Sequence, residues 1–117
     1  MNIETKYDKE SRYKILELLE EVVGVPREYW EVKRTKEADE VLIRQIYCYL
    51  LSEYTDFNLQ KIANILGFKY HTSVMRIITI VKEWQAINTP NHKGNHIINQ
   101  FKEAYEKRHS SIVDLSA

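Results

Sequence analysis

His71, Thr72 and Ser73 are three consecutive hydrogen-bonding side chains standing just after a glycine that interrupts two apolar-striped segments. An imidazole can donate or accept, and each hydroxyl can do both, so the trio can address base edges, phosphates or a helix's own free N–H groups. The flanking residues decide what it can reach. Upstream, Leu59, Ile62, Ile65 and Leu66 fall at helical spacing, which predicts a short helix with one buried face and with Lys61 and Asn64 turned outward. Asn58 suits its N-cap, and Gly67 falls where a positive φ ends a helix and turns the chain. Downstream, Val74, Ile77, Ile78 and Val81 form the stripe of a second helix, expected from about Tyr70 to Ala86. This is the polarity of a helix-turn-helix, residues 58–86: apolar residues hold the second helix to the first, and its N-terminal side chains face outward to read DNA. Taken alone, His71-Thr72-Ser73 also fits a plain helix N-terminus.

The other reactive side chains suggest less. Cys48, the single cysteine, lies mid-helix between Tyr47 and Tyr49, so it reads as a packed thiol, excludes an internal disulfide and fits a reducing compartment. The spacing His92-x-x-x-His96 permits a metal, but no cysteine is near and Gly94 lies between them, so a solvated loop is expected and no metal site. Paired carboxylates such as Glu20-Glu21 and Asp39-Glu40 read as solvated helix faces, and no acid–base chemistry or enzyme activity is expected. None of the three glycines precedes a lysine in a Walker pattern, so neither a nucleotide nor another cofactor is expected.

The 117 residues have the size of one domain and balance 17 cations against 17 carboxylates. The charge is unevenly spread. Residues 1–32 carry five cations and eight carboxylates, a formal −3, whereas residues 33–82 carry eight and five, a formal +3. Glycine and proline are scarce and helical periodicity prevails, which predicts an all-α bundle of about six helices. The first should run from about Asp8 to Val23, burying Ile15, Leu16, Leu18, Leu19, Val22 and Val23, with Gly24 ending it. A short second, from Pro26 to about Val32, should pack Tyr29 and Trp30 inward. After the basic loop Lys33-Arg34-Thr35-Lys36, a long helix from about Glu37 to Tyr54 should bury Val41, Leu42, Ile46 and Leu50. Ile87 to Asn95 reads as a loop, and a last helix from about His96 to Arg108 carries Ile97, Ile98, Phe101 and Tyr105, followed by frayed residues. No apolar run reaches the roughly 18 residues of a membrane span, and the charged N-terminus does not read as a leader, so a cytoplasmic protein is expected, nucleoid-associated if the helix-turn-helix reads DNA.

The segment from Val41 to about Trp84 resembles the C-terminal, origin-box-binding domain of the bacterial replication initiator DnaA. The match is a gapless string of about thirty positions: Arg44-Gln45 at a helix start, Thr55-Asp56, Leu59 to Leu66, and Gly67-Phe68-Lys69-Tyr70-His71-Thr72-Ser73-Val74. Weaker likeness extends over about residues 15–107. The resemblance implies an all-helical domain of the DnaA or Trp-repressor type. It also implies that Tyr70, His71 and Thr72 face bases in the major groove, while Arg44, Gln45, Lys69, Ser73 and Arg76 contact phosphates. Leu59 and Gln60, at a helix start, can offer backbone N–H groups to a further phosphate. Lys33, Arg34 and Lys36 stand where the family has an Arg-rich loop for the minor groove, with Lys36 at the inserted position.

Two departures bear on specificity: Gln60 where the family commonly has proline, and Tyr70 where it usually has aspartate. By resemblance the partner is double-stranded DNA, joined by other replication or regulatory proteins, in replication initiation or its control. The chain lacks the ATPase module of a whole DnaA and reads as a piece of one or as a free-standing bacterial or phage relative. Two other functions fit the same residues: a transcriptional regulator resembling the Trp repressor, and a helical protein-interaction module that has lost DNA.

Overall fold

The computed structural model describes residues 6–32, 37–87 and 92–116, with side chains to residue 108. Five α-helices form it: α1 (Lys6–Val23), α2 (Ala38–Tyr54), α3 (Leu59–Leu66), α4 (His71–Ile87) and α5 (Lys93–Ser116), with a single 3-10 turn at Arg27–Tyr29. The basic loop Lys33 to Lys36 lies outside the described residues.

α2 is the axis of the bundle because its sequence is apolar on every side. Ile43 and the whole run Ile46, Tyr47, Cys48, Tyr49, Leu50 and Leu51 are buried. A helix buried all round must be enclosed by others, and α1, α3, α4 and α5 all pack against it. α1 contributes Ile15, Leu16, Leu18 and Leu19; α3 contributes Ile62, Ala63 and Leu66; α4 contributes Val74 and Val81; α5 contributes Ile97, Ile98 and Phe101. Trp30 is fully buried, edge-on to Tyr47 with ring centroids 5.5 Å apart.

Several sequence expectations change, beginning with the count: five α-helices stand among the described residues where about six were expected. Val22 and Val23 are half-buried rather than in the core. The helix expected from Pro26 to Val32 is one 3-10 turn, and Tyr29 is 55% exposed rather than packed inward. Two tertiary bonds stop propagation: Trp30 enters the core and its indole N–H donates to Val25 O at 2.9 Å, while Arg27 N–H donates to Glu20 Oε2 at 2.7 Å. The last helix begins at Lys93, not near His96, and runs on to Ser116 rather than ending near Arg108. Its start is fixed by Trp84, whose ring covers Gly94 so closely that an added Cβ would lie 2.8 Å from it. Asn95 then ties the turn to α4, its side-chain N–H donating to Trp84 O at 2.7 Å. Val41 and Leu42 are only half-buried, and the core of α2 lies further along the helix than its first turn.

Candidate nucleic-acid interface

The turn between α3 and α4 is set by local chemistry. Asn58 caps α3, its Oδ1 accepting from Lys61 N–H at 2.8 Å. Gly67 has φ 82°, its N–H donates to Asn64 O, and Phe68 N–H donates to Ala63 O at 2.8 Å. These paired bonds satisfy the last carbonyls of α3 and reverse the chain. Gln60, the first departure from the resembled family, bridges the turn: its amide donates to Asn64 Oδ1 at 3.2 Å and to Lys69 O at 3.5 Å.

α4 therefore starts at the surface and is held from behind by Val74 and Val81, both fully buried. Lys69, Tyr70, His71, Thr72 and Arg76 are exposed and Ser73 is half-buried. Tyr70 O accepts from Ser73 N–H at 3.2 Å, leaving the Tyr70 ring 59% exposed with the Lys69 ammonium 5.4 Å from its centroid. The residues read from the sequence as base-facing and three of those read as phosphate-facing, Lys69, Ser73 and Arg76, thus lie together at the N-terminal end of α4, Lys69 and Tyr70 in the turn just before it. Met75 and Thr79, which are not among the site residues expected from the sequence, continue the open row along α4. Their spacing of four and eight from His71 was the signal.

Between Asp56 and Glu83 the chain has no carboxylate and four cations, Lys61, Lys69, Arg76 and Lys82. Lys61 does not look outward as its spacing suggested. It reaches back to Asp8 of α1 in an ion pair and lies 4.8 Å from the Phe57 ring centroid, because the amphipathic face of α3 leaves it at the seam with α1. Leu59 and Gln60 are half-buried at the α3 start.

Arg44 and Gln45 sit in the second turn of α2. Gln45 is half-buried, whereas Arg44 is only 4% exposed, with Nε and Nη2 sequestered and without hydrogen-bond partners. It is not a solvated helix start. Burial draws its guanidinium below the ordinary arginine range, and the Glu40 carboxylate partly opposes that. Such a cation, short of hydrogen-bond partners, is destabilising by itself and receptive to an anion.

His92 stacks obliquely on Trp84, ring centroids 4.8 Å apart, and its Nδ1 accepts from Asn95 N–H at 3.2 Å. Among the described residues no three His, Cys, Asp or Glu side chains gather as metal ligands. Cys48 is enclosed, and burial pushes its thiol up to about 12, far from a reactive thiolate. No helix among the described residues is long and apolar enough to cross a membrane.

An all-helical bundle with a capped turn helix, a left-handed glycine and an outward-facing second helix defines a helix-turn-helix protein. The chain belongs to the bacterial dnaA protein helix-turn-helix family, whose model matches residues 13–81, more than half its length. It is also similar to the chromosomal replication initiator protein DnaA of Picosynechococcus sp., with 28% identity over 99 residues covering 84% of this chain. The chain spans 21% of that relative's length.

Proposed function

We propose that this chain binds double-stranded DNA in the major groove through the N-terminal end of α4, with sequence preference of the origin-box kind. The carrying observation is the open α4 face, where Tyr70, His71 and Thr72 are exposed within a stretch free of carboxylates. His71 and Thr72 meet base edges, the Thr72 methyl fitting a thymine methyl. Lys69, Ser73 and Arg76, with N–H groups at the start of α3 beside Leu59 and Gln60, meet phosphates. Gln45 is half-buried and meets a phosphate directly, whereas the buried Arg44 must turn its guanidinium outward in the complex to join it. The basic loop Lys33, Arg34 and Lys36 takes the minor-groove side.

The protein acts without catalysis, cofactor or nucleotide, at the nucleoid, in replication initiation or its regulation. Box occupancy brings other replication or regulatory proteins to the same DNA. Family membership and the relative's name support this reading. A helical protein-interaction module is favoured by one observation, the neutralisation of Lys61 by Asp8 within a chain of zero net charge.

The test is selection of bound duplexes from a random pool, followed by competition between the selected site and random duplex. A selected consensus preferred over random duplex by about a thousandfold or more fits ordinary helix-turn-helix specificity. No enrichment, or no binding, favours the interaction module.

A further inference from the structure

The open residues in the first half of α4 recur with one spacing: His71, Thr72, Met75, Arg76 and Thr79. Positions i, i+1, i+4, i+5 and i+8 of a helix lie on one side. In this row Met75 is the one large apolar side chain, and it is 49% exposed. A single exposed methionine needs no explanation in general. This one stands one turn beyond His71, between a hydrogen-bonding imidazole and the Arg76 cation. Thr79 turns its hydroxyl inward to Met75 O at 2.9 Å, so its polar group is already occupied. Beside Met75 lies an open groove of about 360 Å³ lined also by Leu59, Ile78, Lys82 and, from α2, Ser52 and Glu53, which gives the flexible thioether room to adjust on the side away from the phosphates.

We propose that Met75 is a specificity-determining residue that reads the 5-methyl group of a thymine. The inference rests on α4 being the groove-facing helix. The four residues from His71 to Met75 advance about 6 Å along the helix axis, and base pairs are stacked about 3.4 Å apart. Met75 therefore meets the pair one or two steps beyond the one met by His71. Thymine alone among the bases offers an apolar group in the major groove, and a thioether with no hydrogen-bonding demand is matched to it. The neighbouring Arg76 holds the phosphate on that side and fixes the distance.

Replacing each thymine of the selected site in turn by deoxyuridine removes one methyl group and nothing else. Native protein should lose about three- to fivefold in affinity at the Met75 position, the worth of one buried methyl-sized group. In Met75→Ala and Met75→Gln that position should become insensitive, while methyl groups opposite His71 and Thr72 still count. Thermal midpoints of both variants should stay within a few degrees of native. Retained sensitivity at every thymine in Met75→Ala would overturn the proposal. So would a uniform loss on all duplexes with a matching fall in thermal midpoint, the mark of a packing role. Native protein that binds the duplex but ignores all methyl groups overturns Met75 alone; native protein that binds no duplex overturns the DNA reading with it.

Discussion

At position 70 an aspartate would repel each phosphate near it, and it repays that only by accepting from a cytosine amine. Tyr70 removes the charge and supplies an exposed ring beside Lys69. Site selection with Tyr70→Asp should therefore shift one base pair of the preferred site and weaken binding to random duplex; an unchanged site would place Tyr70 outside the groove. His71→Ala and Thr72→Ala should each cost about 1–3 kcal/mol on the preferred duplex and much less on random duplex. Equal losses on both would mean that these side chains only begin the helix. Arg44 carries the opposite balance between folding and binding. Its sequestered Nε and Nη2 have no partners, so Arg44→Met, which keeps volume and removes charge, should stabilise the free protein by about 1–3 kcal/mol. The same variant should bind every duplex more weakly, and a protein both less stable and unaltered in binding would refute the assignment.

The elements that present these residues depend on two small devices in the turn. Gly67 at φ 82° is in a region that costs other residues about 1–2 kcal/mol, so Gly67→Ala should lower stability by that amount, read as a lower urea midpoint at unchanged slope. Asn58→Ala should cost about 1 kcal/mol through the lost cap to Lys61 N–H. Both devices were legible in the sequence because cap and turn chemistry is local, and so were the stripes that bury α3 and α4. What was not legible depends on distant neighbours. Nothing near Pro26 announces that Trp30 will be drawn into the core against Tyr47 of α2, which stops the helix after one turn. Nothing near Gly94 announces that Trp84 will cover it and start α5 early. Arg44 and Lys61 look like surface cations in a one-dimensional reading. Their burial and their pairing, or its absence, are set by helices elsewhere in the chain.

The whole molecule is neutral, yet its charge is partitioned, with a carboxylate-free stretch from Asn58 to Lys82 carrying the α4 face. Its core also carries a pH signature. Burial raises the Cys48 thiol from 9.0 to about 12 and raises the Tyr49 and Tyr54 phenols above their ordinary 10.0. The unfolded chain ionises these groups first, so their share of stability is intact below pH about 9 and is lost as pH climbs through the raised values. Thermal midpoints should fall steadily above pH 9, and Cys48→Ala should lessen the first part of that fall. Contact between the α4 face and DNA is read by a salt-series titration on a fluorescent duplex. Affinity should fall on a log–log line whose slope corresponds to about four to six phosphates, and Arg76→Ala should shallow it by about one. Absence of binding at low salt, or binding indifferent to salt, would contradict the account.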